Sequence, residues 1–256
     1  MEYKLLNIFY FLCLSLHMAS GAVTTFILMP INLLIKKGTK THRRIGIATV
    51  WLLLCLTISS FCLLLNPLFP NRFAIVSQKH HWESFFSATF YEPVFFLWLD
   101  IITLYMLVTA IRIWSRISAI KMNKNIPYPK LGITLALALS TSSIFFIVVG
   151  FIDLAHDHPF ASTFISMGIY LLVLIGIDIW TFSPKRHKIL LDWGWALHGT
   201  KMLFIWHGLI TAYIVRLNIS FALINKIFPL TTVAMWIISY LVFYPYWKSQ
   251  QRNRGL

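Results

Sequence analysis

The stretch "LLIKKGTKTHRRIG", residues 33–46, decides how this chain is read. It holds five cations (Lys36, Lys37, Lys40, Arg43 and Arg44), one histidine (His42) and no acid. On its N-terminal side, Leu5 to Ile35 runs for 31 residues without a charge, and on its C-terminal side Ile45 to Leu65 is equally uncharged. Each run exceeds the roughly 20 apolar residues that cross a bilayer. The basic stretch is therefore the turn of a membrane hairpin, and anionic headgroups supply the counter-charge that the sequence lacks.

Composition supports lipid as the solvent. The 256 residues are 58% hydrophobic and 12% charged, with a mean hydropathy of +0.74. A water-soluble domain carries roughly a quarter charged residues, so this chain has about half the supply needed to cover a water-facing surface. The net charge of +14 suggests nucleic acid at first sight. Its cations lie in short clusters between apolar runs, however, so nucleic acid is not an expected partner. Cys13, Cys55 and Cys62 all fall inside apolar runs and read as small buried groups. Cys55 and Cys62 share a helix face, but their seven-residue spacing separates them by about 10 Å, too far for a disulfide.

Seven segments have the length and apolarity of spans: about 5–35, 45–65, 93–114, 131–152, 160–182, 195–215 and 227–247. The first bends, if anywhere, at Pro30. No repeat or long linker divides the chain, so a single transmembrane domain over 1–256 is expected: an all-α, seven-helix bundle. If the opening turn is cytoplasmic, alternate loops are too, and sixteen Lys and Arg then lie inside against five outside. That asymmetry orients a bacterial inner-membrane protein with its N-terminus outside and its C-terminus cytoplasmic. Trp114, Trp180, Trp193, Trp195 and Trp247 fall near the inner boundary, as an aromatic belt does. The N-terminal segment has an early lysine and an apolar core, but its apolarity continues without pause to Ile35, which favours a span over a cleaved leader.

The segment "HMASGAVTTFILMPINLLIKKGTKTHRRIGIATVW" resembles the opening of a family of bacterial membrane proteins grouped as domain of unknown function 2306. Members carry a histidine followed by small residues in the first helix, then a "KGG-x-x-HRR-x-G" loop. His17, Gly21, Lys37, Gly38, His42, Arg43, Arg44 and Gly46 stand at matching places, with Thr39 replacing the second loop glycine. "LYMLVTAIRIWSR", "HGTKMLFIWHGLITAYIV" and "FPLTTVAMWIISYLVFYPYW" are similar to later segments, with Arg112, His198, Lys201 and Met202 matching. The resemblance implies fold and location. It implies no activity.

Ionisable side chains inside spans are candidates for function, because lipid penalises them. Asp178 and Lys201 lie at similar depth on successive spans, which suggests an ion pair, and His198 is one turn from Lys201 on the same face. With Asp100 they make a candidate polar core for a small ligand or ion; the competing reading of the pair is a structural clamp. His17 and His207 each fall near mid-span beside small residues, a pattern that suits haem b held between helices and an electron-carrier role. Tight helix packing around hydrogen-bonded histidines explains the same pattern. Asp100 is also placed to bond His17, as a proton relay in a proton-coupled transporter would require. On the outer side, "KHHWE" supplies His80 and His81 and "DLAHDHP" supplies His156 and His158, a set that suits zinc or copper. Two wet polar loops are the plain alternative. No nucleotide loop, catalytic-serine elbow or zinc-protease signature occurs. The expectation is an integral membrane protein that binds rather than catalyses.

Overall fold

A computed structural model describes residues 2–64, 88–122, 124, 130–155, 161–182 and 187–216, with isolated positions between 230 and 248. All its regular structure is helical. Helix α1 (Glu2–Val23), a π-helical turn (Thr24–Leu28) and α2 (Met29–Leu34) form one continuous run. Helices α3 (Lys40–Leu64), α4 (Ala88–Lys121), α5 (Lys130–Leu154), α6 (Ala161–Phe182) and α7 (His187–Arg216) follow.

These elements correct the expected seven-helix bundle. Among the described residues there are six helical runs, and five contain a stretch long and apolar enough to cross a membrane: Ile8–Leu34, Lys40–Leu64, Phe96–Lys121, Gly132–Leu154 and Ala161–Thr181. The sixth run, α7, begins eight residues before the expected span at Trp195 and carries Lys188, Asp192, His198, Lys201 and His207. These polar groups leave it too hydrophilic to qualify by composition. The expected last span, 227–247, lies largely outside the described residues; those of its positions that are described are helical.

What the five spans expose is decisive for their solvent. Phe11, Phe26, Trp51 and Ile58 are each more than half exposed, and Ile144, Val148, Phe151 and Ile152 line an outer face of α5. Patches of this extent on a water-soluble monomer would drive aggregation, whereas lipid tails cover them without cost. The chain is a multi-pass α-helical membrane protein.

Two compact units divide the chain, residues 1–104 and 105–256. In the first, the α1–α2 run packs antiparallel against α3. His17 Nδ1 donates to the Leu56 carbonyl at 3.4 Å, and Asn32 Nδ2 donates to Thr49 Oγ1 at 2.8 Å. The π turn precedes Pro30, whose ring removes a backbone donor and crowds the preceding turn. The Met29 amide reaches back five residues to the Thr24 carbonyl, and Thr24 and Thr25 become fully buried.

The basic turn is built from its own residues. Gly38 takes φ +81°, a left-handed conformation that suits a residue without a Cβ. Thr39 Oγ1 accepts from the His42 amide at 3.2 Å, which makes Thr39 the N-cap of α3. Thr39 thus has a structural task in this turn. Lys37 folds inward and donates to the Asn32 carbonyl and, at 3.2 Å, to the Leu33 carbonyl, covering the C-terminal end of α2. Burial holds its ammonium below the ordinary lysine range. Lys36, Lys40, Arg43 and Arg44 remain exposed.

In the second unit, α5 and α6 form a close hairpin. A methyl at Gly168 would lie 2.5 Å from Ile147 Cγ1 and 3.0 Å from the Ser143 carbonyl; one at Gly150 would lie 2.9 Å from the Ala161 carbonyl. Backbone approaches this close are how small residues bind membrane helices to one another. Helix α7 packs on α4 through Leu190, Ile113 and Ile117, and on α6 through Phe204 stacked on Tyr170 at 4.4 Å between ring centroids.

Two outcomes follow for thermal unfolding in detergent. Gly150→Ala and Gly168→Ala each destabilise the protein, by about 1–3 kcal/mol, while Gly176→Ala, with open space around its Cα, leaves it unchanged. Thr39→Ala removes the cap and costs about 1 kcal/mol; Thr39→Ser retains most of it.

Candidate functional site

The second unit gathers its buried polar groups where α4, α6 and α7 meet. Asp178, from α6, is 2% exposed and Lys201, from α7, is completely buried. Lys201 Nζ lies 2.6 Å from Asp178 Oδ1 and 2.5 Å from Oδ2, and donates to Thr109 Oγ1 at 2.7 Å. The ammonium has three protons and three acceptors around it. Tyr105 hydroxyl donates to Asp178 Oδ2 at 2.9 Å, and the Tyr105 ring centroid lies 5.8 Å from the ammonium. A buried pair is tolerable in an apolar medium when its charges neutralise each other and further hydrogen bonds occupy the remaining sites, which is the arrangement here.

Arg116 extends the network toward the end of α4. Its Nη2 donates to the Thr181 carbonyl at 2.6 Å, while Thr181 Oγ1 bonds the Asp178 carbonyl at 2.9 Å. The sequence assigned Arg116 to a loop beyond a span ending at Trp114. In the structure α4 continues to Lys121 and Arg116 is only 9% exposed. Tyr105, Thr109, Arg116 and Thr181 were missing from the expected core. Their signal was available: Tyr105, Thr109 and Arg116 stand at i, i+4 and i+11, one stripe of a helix.

His198, expected beside Lys201, lies one turn before it. Its Nδ1 donates to the Ala110 carbonyl at 3.1 Å, and its ring meets Trp114 edge-on at 5.7 Å. His207 is 5% exposed, and its Nε2 is 2.8 Å from Thr231 Oγ1. Asp100 and His17 belong to the first unit, and both approach the same part of α3: Asp100 lies near Ser60, and His17 Nδ1 donates to the Leu56 carbonyl four residues earlier in the chain. Of the loop motif, Lys37 and Gly38 build the turn as described above; His42 is half-buried, and Arg43 and Arg44 point outward from the start of α3. His80, His81, His156 and His158 lie outside the described residues. Among the described residues, no group of three His, Cys, Asp or Glu is close enough to hold a metal ion.

Beside the network, the second unit has a cavity of about 520 Å³. Trp180 and Thr181 of α6, Trp193, Trp195 and Thr200 of α7, and Tyr240 and Tyr244 are among its walls. The two tyrosine rings stack 5.1 Å apart at an interplanar angle of 22°. Gly194 forms part of the floor between the two tryptophans of α7. Thr181 belongs both to this wall and to the polar network, so the ion pair and its hydrogen bonds fix the back of the cavity.

No family model, no curated protein and no solved structure matches this chain.

If Lys201 and Asp178 neutralise each other, removing either alone strands a buried charge. Lys201→Met and Asp178→Leu are each expected to lose about 3–5 kcal/mol of stability. The double variant recovers most of that loss, because it leaves no charge uncompensated. Unfolding in detergent as a double-mutant cycle measures the coupling; additive losses would mean that the two side chains act separately.

Proposed function

We propose that this multi-pass membrane protein is a non-catalytic binding protein of the bacterial inner membrane, which takes a small, lipid-soluble molecule with a planar ring into the cleft between α6 and α7. The observation that carries the reading is the aromatic lining of the cleft. Its volume of about 520 Å³ lies within the range of small-molecule sites. Three indoles and two phenols offer flat, polarisable faces, with hydroxyl and indole N–H groups at their edges. Trp180 and Trp193 are 46% and 45% exposed, so the mouth is accessible from the surrounding lipid.

The polar network supports binding over chemistry. Lys201 has its three donors engaged, and Asp178 accepts from Lys201 and Tyr105 at once. A closed network of this kind rigidifies a wall; a general base or nucleophile needs a free valence toward its substrate. Orientation is argued from charge. Lys36, Lys40, Arg43 and Arg44 all face outward from one turn, so that turn is assigned to the cytoplasmic surface and its anionic headgroups.

The test uses the tryptophans of the cleft. A short-chain benzoquinone, a planar ring that quenches indole fluorescence, is titrated into protein in lipid nanodiscs. Saturable quenching at one ring per chain is expected, with the apparent affinity weakened at least tenfold by Trp193→Ala. Quenching that rises linearly with the amount of probe partitioned into lipid, and is equal in the variant, would remove the reading.

A further inference from the structure

The outward face of α3 carries charge and apolarity in one line. With Lys40 as reference, at about 100° per residue, Arg44, Ile47, Trp51 and Ile58 fall within about 40° of it and Arg43 within about 60°. Lys40, Arg43 and Arg44 are exposed, and Ile47, Trp51 and Ile58 are each at least half exposed. The buried Thr49, Leu53 and Leu56 fall within about 40° of the opposite side. The cations therefore head the same stripe that faces lipid. Their place is unfavourable for the helix alone. Lys40 is one turn from both Arg43 and Arg44, so like charges adjoin. All three oppose the positive end of the helix dipole, and no acid stands in the first turn. Between Glu2 and Glu83 the sequence has no acid at all. Lys37 directs its charge to the carbonyls of α2, whereas Lys40, Arg43 and Arg44 make no ion pair or side-chain hydrogen bond among the described residues.

We infer that this face of α3 is a binding site for one phospholipid of net negative charge. Lys40, Arg43 and Arg44 take its phosphodiester, for which guanidinium groups have matching donor geometry. An acyl chain lies along Ile47 and Trp51. Trp51 is seven residues from Arg44, about 10 Å along the axis. That is within the roughly 15 Å spanned by one leaflet of the hydrocarbon core. The apolar continuation selects a lipid over a soluble phosphate, which would meet the cations and leave the stripe uncovered. Diffuse attraction of a basic turn to an anionic surface has no stoichiometry and ignores the residues below the cations; a site has the one and depends on the other. A bound phosphate also relieves the repulsion within the first turn, so it stabilises the fold that binds it. The site depends on neither the aromatic cleft nor the side of the bilayer that the turn faces, and so it stands apart from the binding function proposed above.

The full-length protein in mixed micelles is titrated with phosphatidylglycerol or with phosphatidylcholine of the same chains, and bound lipid is counted by native mass spectrometry. Phosphatidylglycerol is expected to saturate at one per chain, about tenfold or more tighter than phosphatidylcholine. Lys40→Gln with Arg44→Gln reduces that preference to under about threefold. Lys121→Gln, which removes an exposed cation at the end of α4, leaves it unchanged. Trp51→Ala weakens both lipids and keeps their ratio, as a residue on the chain does. Soluble glycerophosphoglycerol does not displace the lipid at equal concentration. Retention that climbs without saturating, a preference that survives in the double variant or is lost in Lys121→Gln, or unchanged affinity in Trp51→Ala would each overturn the site. Displacement by the soluble headgroup would give the cations to a free phosphate and overturn the lipid. Thermal unfolding in neutral detergent checks the fold: the double variant is expected to be at least as stable as the wild type, because like charges have been removed. A loss of stability would commit Lys40 and Arg44 to the fold itself and overturn the site as well.

Discussion

Lys201 carries a full positive charge into a helical bundle whose outer surface is apolar, and the second unit is organised around neutralising it. An ammonium removed from water needs a carboxylate at contact distance and acceptors for each of its protons. Asp178 supplies the first, and Asp178 with Thr109 supplies the second. Tyr105 then occupies the carboxylate further. To satisfy this one group, three helices must present particular residues at one depth, which fixes the rotation of α4, α6 and α7 about their axes. Hydrophobic contact alone gives no such specificity in lipid, because lipid tails are as apolar as leucine.

The first unit handles polar groups in a different way. It distributes hydrogen bonds along the seam between α1–α2 and α3, from His17 to a backbone carbonyl and from Asn32 to Thr49. Each bond ties two helices, and together they fix an antiparallel register. The π turn ahead of Pro30 contributes to the same end by admitting an extra residue, which turns Thr24 and Thr25 inward.

Charge and aromatic groups at the helix ends complete the organisation. Of the five cations in the basic turn, Lys37 is used to cover helix carbonyls, while Lys36, Lys40, Arg43 and Arg44 face outward. At the end of α6, Arg116 bonds the carbonyl of Thr181, and Thr181 also lines the aromatic cleft. Any strain placed on the ion pair is therefore felt at the cleft wall within one helical turn.

The membrane character and the hairpin about residues 33–46 were legible without coordinates, because length, apolarity and charge clustering are properties of contiguous sequence. So was the pairing of Asp178 with Lys201, since successive spans of opposite direction bring their adjoining ends to one depth. The number of spans was not determined: α7 is helical but carries polar groups that apolarity alone could not weigh against internal pairing. The burial of Arg116 and the aromatic cleft were decided only by tertiary structure. The physical reason is the same for both. A helix repeats its faces every 3.6 residues, so sequence shows which residues share a face, but which face turns toward which neighbour depends on packing between segments far apart in the chain.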